Sequence, residues 1–356
     1  MKRVGYLYQS MLDKDLISAC WDKAIKGKKK RYDVCPLDKD TCVEAIYEML
    51  VNRTYVPATP RKKTIYDTSS RKEREISIVP FFPDGVIQNV MVTLLQPILL
   101  KNMYPWSCAS LPNRGGNCAQ KKIKSLLKDE KNTQYCLKLD IHHFYPTIDH
   151  DLMMAKLERR IKDKEFLALT RRILDTADTG LPIGFYLSQW LSNFYLENLD
   201  WKIAHSDGVF GYVRYMDDMV ILGSNKAKLH EVRKSIQEWL GEEKLELKGN
   251  YTVFPVDSRG IDFVGYRFYH GYTKMRRKNS LRLMKQCRKI KKGDRRLFTA
   301  KSFLSRMGIV QHCDSYKFQQ KYFDFDAIHE LKEVERNESK RQREAADIHS
   351  GNESTK

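Results

Sequence analysis

Apolar positions along the chain change period several times, and each change marks an element. From Asp38 to Asn52, Val43, Ile46, Tyr47, Leu50 and Val51 recur at helical spacing, with Asp40 or Thr41 placed to cap the first turn. Thr54 to Val79 loses that period; Pro57 and Pro60 exclude a long helix, and short strands joined by turns are predicted. Gly85 to Leu100 (GVIQNVMVTLLQPILL) is apolar almost all round, as a helix buried on most of its circumference would be. Gln134 to Asp140 (QYCLKLD) predicts a short strand that ends on Asp140, and Asp149 to Leu157 starts the next helix. A turn containing Gly180 and Pro182 introduces one long apolar helix running through residue 203. In VFGYVRYMDDMVILG, residues 209 to 223, two β-branched and aromatic runs flank Tyr-Met-Asp-Asp, which predicts a hairpin with two carboxylates at its turn. A helix over Lys226 to Leu240, a strand over Leu245 to Lys248 and a second hairpin over Ile261 to His270 follow.

Composition adds a partner to this outline. A chain of 356 residues, 42% hydrophobic and 11% aromatic, can bury a core in two or three lobes. Lys and Arg number 64 against 45 Asp and Glu, a formal +19, which favours a polyanion such as nucleic acid. An anionic membrane is the weaker choice, because no run of about 18 apolar residues exists and the N-terminus lacks the shape of a secretory signal. A soluble, cytoplasmic protein is expected. The eight cysteines are scattered without zinc-site spacing, so reduced and mostly buried thiols are expected. Between Gly271 and Ala300 twelve Lys or Arg face one acid, Asp294, a net +11 within thirty residues. Too few anions lie within that run for internal pairing, so phosphates are its expected counter-charge. The stretch after Lys332 is charged and poor in aromatics, and is expected to be disordered.

The carboxylates suggest a chemistry. Nucleotidyl transfer uses two divalent ions roughly 3.5 to 4 Å apart, one activating the attacking hydroxyl and one holding the leaving phosphate. Mg²⁺ asks for a few carboxylates on rigid backbone and takes its other ligands from water and substrate. Asp140 ends one strand, and Asp217 and Asp218 sit in a hairpin turn 77 residues later; adjacent in one sheet, the three would converge. Apolar runs on both sides hold two like charges against a core, which is costly unless a cation binds there. His142 and His143, just after Asp140, read as linker residues, since Mg²⁺ prefers oxygen to imidazole.

At these residues the chain resembles a known family. Tyr215-Met216-Asp217-Asp218 within YVRYMDDMVILG resembles the catalytic hairpin of reverse transcriptases, and LKLDIHHFYPTIDH, containing Asp140, resembles their first metal-binding strand. Phe263-Val264-Gly265-Tyr266 resembles the primer grip, and REISIVPFFPDGVIQ (74 to 88) the fingers segment that meets template and incoming nucleotide. The resemblance runs from residue 60 to residue 320 and implies an α+β, right-hand polymerase. Its parts would be an N-terminal extension and fingers over 1–135, a palm with an antiparallel sheet over 136–270, a basic helical thumb over 271–330 and a disordered tail over 331–356. The implied catalytic carboxylates are Asp140, Asp217 and Asp218; with Ile141 they would hold two Mg²⁺, Mn²⁺ being able to substitute. Tyr145 stands where this class sets a ring against the sugar C2′ to exclude ribonucleotides, or is a core tyrosine beside Phe144. Arg74 suits the triphosphate, since guanidinium matches phosphate oxygens in pairs, or is a solvated strand charge. Lys248 could protonate or neutralise the pyrophosphate. The thumb would grip the template–primer duplex by its phosphates through Arg276, Arg277, Lys278, Arg282, Lys285, Arg288 and Lys289.

GLPIGFYLSQWLSNFYLENL (180 to 199) narrows the resemblance. Most reverse transcriptases carry Gln-Gly and then Ser-Pro here, where this chain has Ile183-Gly184 and then Ser188-Gln189. That departure is similar to the enzymes of bacterial and phage diversity-generating retroelements, which misincorporate opposite template adenines. YPWSCASLPNRGGNCA (104 to 119) and SRGIDFVGYRFYHGYTKMRRKN (258 to 279) also resemble theirs. Group II intron maturases are expected to carry a longer C-terminal extension, and retron enzymes a Val-Thr-Gly signature absent here. Ile183, Gly184 and Gln189 would line the base pocket, selecting more by shape than by hydrogen bonding, or Ile183 packs under the helix. The resemblance further implies dNTPs, a structured template RNA, the cDNA duplex and a small, basic, oligomeric accessory protein as partners, in a bacterial host and encoded by it or by a phage. Two other readings stay open: a reverse transcriptase of an anti-phage defence system, and an RNA-binding scaffold with a dead palm.

Overall fold

The computed structural model describes residues 2–28, 31, 33–67 and 72–352, so residues 1, 29, 30, 32, 68–71 and 353–356 lie outside the described residues. The chain divides into two compact units, residues 1–122 with 131–253, and residues 123–130 with 254–356.

In the first unit, strands β1 (Arg61–Asp67) and β2 (Lys72–Ile78) pair antiparallel with Arg61 opposite Ile78. The helix Lys39–Val51 is capped by Asp38, whose carboxylate accepts from the Thr41 amide at 2.9 Å. The cap therefore lies upstream of Asp40 and Thr41, where the backbone is still extended (φ −81°, ψ 131°). The helix Val86–Leu100 buries Val86, Ile87, Val90, Met91, Leu95 and Leu99, as its apolar run predicts. Strands β3 (Tyr135–Asp140), β4 (Gly211–Tyr215), β5 (Asp218–Gly223) and β6 (Thr252–Pro255) form a sheet in the order β4-β5-β3-β6. Met219, Val220, Ile221 and Leu222 of β5 are all fully buried, each contributing about 1.5–3 kcal/mol of apolar burial.

Two expected elements come out differently. The long helix through residue 203 breaks at Leu196 (φ −91°, ψ 3°) into Tyr186–Tyr195 and Glu197–Ala204. The break lets the second piece aim Asp200 at Arg214, an ion pair that uniform helix propensity does not foresee. Leu245 to Lys248 is not a strand: it makes a single bridge, Leu247 to Ile141, together with Lys248 N donating to Asp140 O at 2.9 Å.

The second unit holds a three-stranded antiparallel sheet, β7 (Ile261–Phe263), β8 (Tyr266–Phe268) and β9 (Thr273–Met275). Its helices Arg277–Lys291, Leu297–Met307, Tyr316–Tyr322 and Phe325–Asn352 close on Leu283, Cys287, Phe303, Phe323 and Leu331. The expected boundary at residue 270 shifts to 254, because the β7–β8 hairpin groups with the helices that follow it. The basic stretch opens as strand β9 before turning helical. The tail expected to be disordered from 331 continues as helix to Asn352: Ala327, Ile328 and Leu331 anchor its start, and Glu, Lys, Arg and Ala favour its continuation. All eight cysteines carry free thiols. Among the described residues no helix is long and apolar enough to cross a membrane.

Candidate active site

Three carboxylates meet at one end of the four-stranded sheet. Asp140, the last residue of β3, stands opposite Asp218, the first of β5. Asp217 lies in the turn between β4 and β5, where its carbonyl accepts from Ile141 N at 3.3 Å. Ile141 itself is fully buried, so only its backbone could face a ligand.

The turn is held from beneath by a side chain that sequence reasoning missed. Met216 adopts a left-handed backbone (φ 57°), a conformation that a methionine keeps only where its surroundings impose it. Arg214 helps to hold it there, donating from Nη1 to the Met216 carbonyl at 2.9 Å. The guanidinium also binds both oxygens of Asp200, at 2.7 and 2.6 Å, and the Ser107 hydroxyl at 2.8 Å and Asn193 Oδ1 at 3.2 Å. Arg214 and Asp200 have no exposed side-chain surface, and Tyr212 donates its hydroxyl to Asp200 at 2.7 Å. One signal was available: Arg214 and Asp200 are charges inside apolar runs, and a buried charge requires a partner.

Cations of the chain compensate the carboxylates. Lys138 pairs with Asp218, and Lys248 pairs with Asp140 through both its ammonium and its backbone N–H. Burial, and after it the negative charge of Asp140, raises Asp217 above the ordinary carboxylate range, while Lys248 and Arg74 pull the other way. Burial pushes Asp218 up to about 6 against the opposing pull of Lys138. Among the described residues no three His, Cys, Asp or Glu groups close into a metal cage. The fit is to a hard cation held by two or three oxygen donors and completed by water and phosphate, since the mutual repulsion of Asp140 and Asp217 is what such a charge relieves.

Other predicted residues gather round this point. Tyr145 donates its hydroxyl to Met216 Sδ at 3.6 Å and accepts from Ser192 Oγ at 3.0 Å, and burial raises its pKa. Arg74, exposed on β2, is near enough for its charge to act on Asp217. Ile183 O accepts from Ser77 N of the same strand at 2.7 Å. Gly184 has φ +117°, and a Cβ there would stand 2.5 Å from the Ser77 carbonyl, so the position admits only glycine without a shift of backbone. Gly184 and Gln189 share the wall of a cavity of about 470 Å³ with Lys23, Lys28, Asn89 and Gln96. His142 and His143 are exposed, with His142 N bound to Glu246 O at 2.8 Å.

The remaining predicted residues belong to the second unit. Phe263 pairs with Tyr266 across the β7–β8 turn, and both rings are buried, leaving Val264 and Gly265 at its tip. The Gly265 carbonyl accepts from Arg276 N at 3.0 Å and Asn279 Nδ2 at 3.2 Å. Arg277, Lys285, Arg288 and Lys289 are exposed on the helix Arg277–Lys291, while Arg276, Lys278 and Arg282 are half-buried. The basic run recruits counter-charges from beyond its own ends, Asp262 for Arg276 and Glu330 for Arg295, which its own composition does not reveal.

Comparison with known proteins places the sequence in a family. The profile of the family "Reverse transcriptase (RNA-dependent DNA polymerase)" matches residues 61–268. Protein YkfC of Escherichia coli (strain K12) is 25% identical over 275 residues, which cover 63% of this chain and 70% of YkfC. The Retron Ec73 reverse transcriptase of Escherichia coli is 27% identical, with 51% of this chain and 63% of that protein covered. The group II intron-encoded protein LtrA of Lactococcus lactis subsp. cremoris is 27% identical, with 44% of this chain and 27% of LtrA covered. A solved telomerase from Candida tropicalis, in complex with a fragment of telomeric RNA, superposes with a TM-score of 0.47 at 12% identity, covering 79% of this chain and 58% of that one. The family profile spans more than half of the sequence and contains Asp140, Asp217 and Asp218, so the chain belongs to the reverse transcriptases.

Proposed function

We propose that the protein copies a structured template RNA into DNA from dNTPs, and that it does so as the error-prone polymerase of a diversity-generating retroelement. The observation that carries the catalytic part is the β3–β5 register, with Asp140 opposite Asp218 and Asp217 in the adjoining turn. Asp140 and Asp217 would hold two Mg²⁺, with Asp218 beside them; ions bound there would acidify the primer 3′-hydroxyl and neutralise the leaving pyrophosphate. Lys248, whose ammonium pairs with Asp140, would cede that carboxylate to the ions and protonate or neutralise the pyrophosphate. Tyr145, fixed by Met216 and Ser192, supplies the ring that a ribose 2′-hydroxyl would strike. The subgroup rests on Ile183, Gly184 and Gln189: an isoleucine cannot hydrogen-bond a base as glutamine can, so discrimination falls to shape. A small, basic, oligomeric accessory protein is the partner that goes with this reading.

The test is primer extension on an RNA template with purified protein, Mg²⁺ and dNTPs, against Asp217→Asn, followed by sequencing of the cDNA. Extension is expected from the unaltered protein alone, with errors concentrated at template adenines. Equal extension by both proteins would overturn the site. Accurate copying at adenines with the partner present would overturn the subgroup, and an Ile183→Gln, Gln189→Pro variant with an unchanged error spectrum would reduce those residues to packing.

A further inference from the structure

The loop joining β8 to β9 carries a feature to which the proposed function assigns no role. Tyr269 and Tyr272 flank His270 and Gly271, with Tyr269 N donating to Tyr272 O at 3.0 Å, and their rings stack at 4.6 Å with planes 14° apart. Lys274 Nζ lies 5.4 and 5.0 Å from the two ring centroids. The loop is pinned on every side. Asp257 accepts from His270 N at 3.1 Å and pairs with His270 Nδ1 at 2.8 Å, and Asp314 accepts from Thr273 N at 2.7 Å. Tyr269 donates its hydroxyl to Arg259 O at 3.3 Å. Its ring occupies space that any Cβ at Gly260 (φ +73°) would enter, to within 2.5 Å. Lys124, Leu127 and Lys128 complete, with Tyr269, Tyr272 and Asp314, a cavity of about 430 Å³. Lys124 is oriented by the His312 carbonyl at 2.8 Å, and Tyr272 remains 41% exposed.

Aromatic faces beside ammonium groups are what a single-stranded nucleic acid needs, because every base has a face to stack and every nucleotide a phosphate to neutralise. Rings already stacked and hydrogen-bonded lose little freedom when a third ring joins them. A duplex hides its base faces, so this site differs in kind from a thumb that grips phosphates. Asp314 is engaged by the Thr273 amide, and Glu130 at the wall offers an acceptor to a base amino group. We propose that this cavity binds an unpaired nucleotide of single-stranded RNA, its base stacked on Tyr272 and its flanking phosphates on Lys124 and Lys128.

The test uses the full chain loaded with a 3′-blocked template–primer duplex and a fluorescent, 4-thiouridine-bearing RNA of roughly 12 nucleotides. Crosslinks are expected within residues 269–272. Tyr272→Ala should weaken anisotropy-detected binding about tenfold, while Tyr272→Trp retains it. Lys124→Gln with Lys128→Gln should weaken binding and flatten its log–log salt slope by about 1 to 2. Crosslinks absent from that loop, with all three variants binding within twofold of the unaltered chain, would overturn the proposal. Primer extension is measured alongside, so that loss of the polymerase reading shows there and leaves the crosslinking result to stand by itself.

Discussion

The turn at Asp217 and the helix Arg277–Lys291 carry charge in opposite ways. At the turn, charges are few and individually partnered: Arg214 with Asp200, fully buried, and Lys138 with Asp218 and Lys248 with Asp140, half-buried. On the helix they are many, of one sign, and largely face solvent. Desolvated charge costs several kcal/mol per ion unless its geometry is met, so it fixes position; solvated charge costs little and is screened, so it holds polyanions reversibly. On the proposed function, the first region would set where the chemistry happens and the second how long the substrate stays.

Substitutions can break that contrast. The largest effect is expected from Asp217→Asn, about a thousandfold loss of primer extension, because several kcal/mol of metal-borne stabilisation depend on the carboxylate; Mg²⁺ should also raise the melting temperature of the unaltered protein and not of this variant. Next, Arg214→Ala leaves Asp200 buried and unpaired and should cost about 3–5 kcal/mol by denaturant unfolding. Arg214→Lys keeps the charge but not the fork that reaches Met216, so it should fold and show kcat lowered about tenfold with KM for dNTP unchanged. Gly184→Ala must move the Ser77 carbonyl and should cost about 1–3 kcal/mol, with a raised KM for dNTP. Smallest is the double change Arg288→Gln, Lys289→Gln: template–primer affinity should fall a few-fold at low salt, the salt slope by about 1 to 2, and kcat not at all. A loss of kcat there, or none for Arg214→Lys, would erase the distinction between the two regions.

Much of the catalytic strand and hairpin was legible because local patterns decide it. β3, β4 and β5 are short apolar runs that end at Asp140 and begin at Asp218, and a two-residue turn joins the last two. The helix Val86–Leu100 was legible for the same reason. What long-range contacts decide was not. The partner of Arg214 lies fourteen residues upstream, in a helix whose break at Leu196 has no Gly or Pro to announce it. Lys138 looked like one more strand residue, because its worth depends on standing diagonally across from Asp218. The burial of Phe263 and Tyr266 was hidden too: Tyr266 donates its hydroxyl to Ile309 O, forty-three residues further along the chain. The basic run was readable as charge, but Asp262 and Glu330 become its partners only once the unit is folded.

Residues 123–130 belong to the unit formed mainly by 254–356, so that unit is discontinuous in sequence. Synthesis delivers this short piece more than a hundred residues before the rest of its unit. Ile123 and Leu127, fully or almost fully buried in the finished fold, must wait for partners that emerge last. Cutting the chain after residue 253 would therefore not release a self-sufficient first unit: it would leave Ile123 and Leu127 without the rest of the unit to which they belong. A separable first unit requires residues 123–130 to be replaced by a polar linker as well, and circular permutation that brings 123–130 next to 254 is the rearrangement this topology favours.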